Sequence, residues 1–405
     1  MKVTKISLFV VASLLFLGSN VLASIGINEN SFQAFIMFLS FCSAYHLINQ
    51  WKKRVALVLL LLFVVMASVL KLYIDRGEGT RSIVMSFLAA PIVMASIPVF
   101  SNQTVYKYHS FWTKSLKIIL YSFLVEIGIV YFERITGKMV FGWASLKSGI
   151  DMIKSVGVEE FRSTGMYGHP LYNALMVSTA MAFVLVSSLK PKYKFLLWGM
   201  GYGAILCFNT RGSIVGNALL LAVYVLNTIL INRKMKDSTK TGILAAGSLA
   251  AGVAFFLLSS GLVGGRLMSM GLVDDSSAQV RLDIIEFVSS IHLQDYLFGM
   301  NFQDYNKLLF SNGMSATENW WVDYLFRCGL VFLICYMLFY TLYLKEEFRY
   351  YRLFDKLYVT IAFLFIATTN NSLSTSFVAL FYYLFLIRLF NPPTFQTIVR
   401  KKYLM

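Results

Sequence analysis

Arg211 stands in Asn209-Thr210-Arg211-Gly212-Ser213, a short polar turn between two apolar runs. A guanidinium fixed there offers two parallel N–H donors to a phosphate, and Gly212 and Ser213 let backbone come close to a ligand. The plainer alternative is an arginine snorkelling to lipid headgroups. Arg266 and Arg281 flank the start of the longest polar segment, and Arg162 lies in Phe161-Arg162-Ser163-Thr164-Gly165 just before another apolar run. Several arginines near a membrane plane suit a lipid-borne diphosphate, and equally suit anionic lipid in general.

Glu318 opens Glu318-Asn319-Trp320-Trp321-Val322-Asp323 at the edge of an apolar run. A carboxylate at that boundary could be a general base tuned by partial burial, or a first-turn acid complementing a helix dipole. Trp320 and Trp321 read as interfacial anchors or as flat platforms for sugar rings. Asp323 and Arg327 share a helix face at a spacing that lets them pair. His169 precedes Pro170 at a helix start, and His292 lies in the long polar segment; each is a proton carrier or a capping or loop residue. Glu126 falls inside an apolar run and is a functional candidate by default, with no obvious partner. No CxxC, HxxxH or HExxH pattern occurs, so neither a metal site nor a disulfide scaffold is expected. Cys42, Cys207, Cys328 and Cys335 all sit in apolar runs and read as small core residues.

The elements that must position these groups are membrane helices. Of 405 residues, 58% are hydrophobic and 14% charged. The mean hydropathy is +0.66. An ordinary soluble enzyme, a disordered chain and a secreted disulfide scaffold are excluded, because none could hide so much apolar surface. The fold class expected is an all-α polytopic membrane protein. Twelve spans are predicted, near 6–24, 32–49, 55–74, 82–101, 117–134, 169–189, 195–210, 213–231, 241–262, 320–343, 357–371 and 373–391. Residues 1–405 form one integral membrane domain, with outer loops over 136–168 and 263–319. Within the larger loop, Arg281–Ile291 has the pattern of an amphipathic helix lying at the membrane surface. Val21-Leu22-Ala23-Ser24 resembles a signal-peptidase site, but an uncleaved first span is favoured.

Charge orients the spans. With the N-terminus cytoplasmic, the inner segments hold 23 Lys and Arg and the outer segments 11, and every inner loop is short and basic. Fourteen acidic residues lie on the outer side and four inside. The net charge of +16 is therefore mainly an inner-face signal, and nucleic acid is not needed to explain it. Both termini are expected in the cytoplasm.

Four segments resemble the bacterial O-antigen polymerase (Wzy-type) and O-antigen ligase superfamily. They are Arg162-Ser163-Thr164-Gly165 running to His169-Pro170; Thr210-Arg211-Gly212-Ser213; Arg281-Leu282-Asp283 followed by Tyr296-Leu297-Phe298-Gly299; and Glu318-Asn319 leading to Tyr324-Leu325 and Gly329-Leu330. Twelve spans with the largest outer loop between spans nine and ten are also similar. The resemblance implies a GT-C-like glycosyltransferase of the bacterial inner membrane. Its donor and acceptor would be oligosaccharides on undecaprenyl diphosphate, presented at the outer face, with no metal or nucleotide sugar required. Arg211 and Arg281 would grip the diphosphate, with Arg266 and Arg162 beside them. His169, Asn319, Trp320 and Trp321 would meet glycan. A chain-length regulator protein is a family expectation. Ligases of the superfamily carry histidine where Glu318 stands, which favours a polymerase, with Glu318 as base and His292 as the second candidate.

Two other classes remain. A flippase or other transporter suits twelve spans, but no half-repeat is visible, and Pro91 and Pro98 are the only prolines within a span interior. A structural scaffold leaves Arg211 unexplained.

Overall fold

The computed structural model describes residues 2–45, 89–97, 108–141, 161–231, 241, 292–311, 317, 319–368, 373 and 376–392. Among them 82% are helical and none is in a strand. The predicted span at 55–74, that at 241–262 beyond its first residue, most of 82–101 and the predicted surface helix 281–291 lie outside the described residues. The helices are α1 (Lys2–Phe16), α2 (Ser19–Ser24), α3 (Glu29–Tyr45), α4 (His109–Thr136), α5 (Pro170–Val186), α6 (Pro191–Phe208), α7 (Arg211–Ile231), α8 (Leu293–Phe298), α9 (Phe302–Ser311), α10 (Trp320–Cys328), α11 (Leu330–Glu347), α12 (Leu353–Thr368) and α13 (Val378–Leu389). Helical stretches His109–Thr136, Arg211–Ile229 and Trp320–Glu347 are long and apolar enough to cross a membrane. The described residues are helices and their connections, consistent with an α-helical membrane protein.

Its helices are sorted by face. On α11, Val331, Ile334, Leu338 and Leu342 point away from the protein, while Phe332, Tyr336, Phe339, Tyr340 and Tyr343 are buried. On α7, Val215, Leu219, Val223 and Leu226 form the outward stripe. Aliphatic stripes of this kind would be untenable in water and are ordinary against lipid. Cys207 and Cys328 are buried as expected, but Cys42 is exposed on α3 beside outward-facing Phe38, so it is no core residue. The hub is α5, buried from Pro170 to Leu185 apart from Leu171 and packed on α6, α7, α12 and α13. Small residues such as Ala174, Ser178 and Ala182 let those neighbours approach, and Asn217 Nδ2 of α7 donates to Ser178 Oγ at 2.8 Å.

Two predicted spans are each divided in two. The run at 6–24 stops at Phe16 and restarts at Ser19, because a Cβ at Gly18 would meet Met166 O at 2.4 Å. The run at 320–343 breaks at Gly329 (φ +84°), where a Cβ would lie 2.4 Å from Leu297 O. Gly299 (φ +80°) faces the same crossing, where a Cβ would lie 2.6 Å from Arg327 O, and Met300 N donates to Phe326 O at 2.7 Å. The segments Tyr296–Gly299 and Gly329–Leu330, far apart in sequence, therefore meet backbone to backbone. Gly329→Ala combines a left-handed φ with a collision against backbone and should lower stability by about 2 kcal/mol or more. Gly128→Ala, mid-helix in α4 with open space around the new Cβ, should be neutral or stabilise by about 0.5–1 kcal/mol. Thermal melts of the two detergent-solubilised variants check both signs.

At the other end of α11, Arg388 of α13 is fully buried. The charge count places it among the inner-face cations, but its headgroup is made of protein. Nε and Nη2 donate to the two oxygens of Glu347 at 3.0 and 2.8 Å, Nη2 to Tyr343 OH at 2.8 Å, and Nη1 to Met94 O and Ile97 O at 3.0 and 2.9 Å. All five guanidinium N–H groups are used.

Candidate functional site

The site grows from two carboxylates two turns apart on α4. Glu126 and Glu133 lie on one helix face and are both buried. They hold the segment 161–169, which is not helical and crosses the ends of α1, α4, α5 and α6. Thr164 N and Gly165 N donate to Glu133 Oε2 at 2.8 and 3.1 Å, and Met166 N donates to Glu126 Oε2 at 2.9 Å. Val140 N donates to Glu133 Oε1 at 3.0 Å. Ser163 N donates to Cys207 O, and Tyr167 N to Asn173 Oδ1. On the acceptor side, Asn20 Nδ2 donates to Gly165 O, Asn20 N to Met166 O, Ser19 Oγ to Tyr167 O and Asn173 Nδ2 to Thr164 O. Irregular backbone buried among helices survives only when protein satisfies it in this way. Gly165 (φ +52°) is required twice, since a Cβ there would also lie 2.1 Å from Glu126 Oε1.

The same segment gathers arginines. Arg134, the last basic residue of α4, donates from Nη1 to Phe161 O. Arg162 donates from Nε to Phe208 O at 3.1 Å. Phe208 ends α6, Asn209 turns the chain in the left-handed region (φ 53°), and Arg211 opens α7. Arg134, Arg162 and Arg211 thus stand around one corner, built by Phe161–Ser163 and Phe208–Arg211. Beside them Asn209, Thr210 and Ser213 are buried, and Asn209 Oδ1 and Nδ2, Thr210 Oγ1 and Ser213 Oγ have no hydrogen-bond partner among the described residues. Each such orphan costs about 1–3 kcal/mol. Unpaired donors and acceptors next to clustered cations are what an anionic, oxygen-rich ligand would complete.

The other expected residues fall as follows. Arg266, Arg281 and Glu318 lie outside the described residues. His292 is exposed at the start of α8 and its side chain caps nothing. His169 caps α5: its Nδ1 accepts from Leu171 N at 3.3 Å, which puts the ring proton on Nε2. Asn319 is the N-cap residue of α10, with Oδ1 unpartnered among the described residues. Trp320 is buried edge-to-face on Tyr324 at 5.6 Å, so it is neither a membrane-surface anchor nor an open platform. Trp321 is 40% exposed.

Asp323 and Arg327 do pair, at 3.1 Å. Tyr305 OH donates to Asp323 Oδ1 at 2.7 Å, and the Arg327 guanidinium lies 4.9 Å from the Tyr305 ring centre, so the pair fastens α9 to α10. Glu126 has a structural partner, the Met166 N–H, that its sequence neighbourhood does not reveal. Glu133 and Arg134 complete the site and were readable only as end-of-span charges; their contacts lie some 30 residues away in sequence. No protein-family model matches the chain, and no curated protein matches it.

Proposed function

We propose that the chain is a polysaccharide polymerase, a GT-C-like glycosyltransferase with about twelve spans in a bacterial inner membrane and both termini cytoplasmic. It joins oligosaccharide repeat units carried on undecaprenyl diphosphate at the outer face. The observation that supports this most is the corner of Arg134, Arg162 and Arg211 beside the unpartnered polar atoms of Asn209, Thr210 and Ser213. The basic inner loops favour an outer-side position for that corner, and a lipid diphosphate presented there would lie at headgroup level.

In the reaction an acceptor hydroxyl oxygen bonds to the anomeric carbon of the donor. The bond from that carbon to the diphosphate breaks, and its electron pair leaves with the diphosphate. The arginines stabilise the charge that develops there. Arg281 and Arg266 of the large loop join the grip in this reading, and Asn319 and Trp321 meet glycan. Glu318 and His292 are the base candidates named by the resemblance.

Cells carrying Arg211→Ala or Arg281→Ala, at normal protein level, test the reading through the length of surface glycan. Polymerase function predicts that long chains vanish and one repeat unit remains on its final carrier. Long chains accumulating on undecaprenyl diphosphate would indicate a ligase instead. Precursor trapped on the inner leaflet would indicate a flippase. Unchanged length and attachment would remove the diphosphate grip altogether.

A further inference from the structure

Tyr167 and His169, at the C-terminal end of the segment 161–169, also line a second place. There a cavity of about 360 Å³ opens between the α1–α2 break, the start of α3, the start of α5 and residues 376–378. That volume is at the small end of ligand sites, which run from about 300 Å³ upward, and suits one sugar unit rather than a lipid or a folded glycan. Its polar lining includes Ser19, Glu29, Gln33, His169, Tyr172 and Ser376; Leu22 and Phe32 supply an apolar wall of the kind that the C–H face of a pyranose ring packs on.

The polar groups are set in place by other contacts. Gln33 Nε2 donates to Glu29 Oε1 at 2.9 Å, leaving Oε2 without a hydrogen bond among the described residues. His169 is fixed by its cap, with Nε2 as the remaining donor. Tyr172 OH and Ser376 Oγ lie 3.2 Å apart and tie α5 to the start of α13. A carboxylate in the lining disfavours an anion, so this cavity does not duplicate the diphosphate corner. Its donors and acceptors fit a neutral, hydroxyl-rich ligand. The two places are linked through one segment, and the charge of Arg162 is close enough to act on the His169 ring.

We infer that this cavity is the acceptor-sugar subsite and that Glu29 is the base for the acceptor hydroxyl, an assignment that rests on the polymerase reading. The hydroxyl proton passes to Glu29 Oε2 as the oxygen bonds to the anomeric carbon, and the diphosphate leaves with the electron pair. Glu29 then releases the proton to water. At the first residue of α3, before the apolar run, burial pushes the Glu29 carboxyl up and the Gln33 hydrogen bond partly offsets this. A base is active when deprotonated, so elongation should fall on the acid side at a pH above the ordinary carboxyl value of 4.5. The other titratable groups facing the cavity are His169, Tyr167 and Tyr172.

The test uses the full chain in phospholipid nanodiscs and the lipid-linked repeat unit extracted from cells that lack the chain. Glu29→Gln should lower kcat by about 100-fold or more, with little change in KM, and flatten the acid limb. His169→Asn keeps a helix cap while removing the imidazole, and should leave the acid limb in place. If Glu29→Gln elongates at the unmodified rate, or Glu318→Gln or His292→Ala removes the acid limb instead, the base assignment is overturned. Arg211→Ala in the same assay keeps the two failures apart. Its loss of activity alongside an active Glu29→Gln rejects only the subsite, an active Arg211→Ala rejects the diphosphate corner, and a parent chain that joins no repeat units rejects the function reading as well.

Discussion

Glu133→Ala should abolish activity without touching substrate. The carboxylate is the shared acceptor for Thr164, Gly165 and Val140 N–H. Removing it leaves three backbone donors, two of them in a buried segment, without partners, at about 1–3 kcal/mol each. The expected result is a loss of about 3–5 kcal/mol in stability and release of the segment that carries Arg162 and His169. Glu133→Gln keeps one carbonyl oxygen of the two and should fall between. Limited proteolysis near residues 160–168, with chain elongation measured on the same preparation, checks the coupling. Proteolysis unchanged from the parent chain would show that the segment is held by other contacts.

Arg388→Ala should be the most destabilising single change at the opposite end of the bundle. It strands a buried Glu347 carboxylate and removes donors from Tyr343, Met94 and Ile97. Breaking a buried pair from one side costs about 3–5 kcal/mol. Arg388→Met combined with Glu347→Leu removes both charges and should recover much of that loss, since a buried pair replaced by apolar groups is often near neutral. Fluorescence-detected size exclusion after heating would rank the parent, the double variant and the single variant in that order. A single variant as stable as the parent would mean that the pair contributes nothing.

What could be read from the sequence follows from which forces are local. The helices around residues 109–136, 170–186 and 211–231 are legible, because long apolar runs need no partner to be recognised. The breaks at Gly18 and Gly329 are not, since each arises where another backbone, at Met166 or Leu297, comes too close for a Cβ. Arg211 and Arg162 were legible by residue type and by their place at the ends of runs. That they share a corner was not, because it depends on contacts between distant segments, such as Arg162 Nε to Phe208 O and Ser163 N to Cys207 O. Arg388 counts as an inner-face charge by position, and its burial against Glu347 is a tertiary fact that a charge count does not contain. Glu29 drew no attention because its significance lies in the cavity, whose walls come from α1, α2, α3, α5 and the approach to α13.

The most direct test of the central claim is product release in a defined system. The full chain in liposomes is supplied with purified lipid-linked repeat unit, and undecaprenyl diphosphate is measured alongside glycan length. The account predicts one undecaprenyl diphosphate released per unit joined, and a rate about 100-fold lower for Arg162→Ala and for Arg211→Ala at normal folding. Repeat units moved across the bilayer with no longer glycan and no diphosphate released would contradict it.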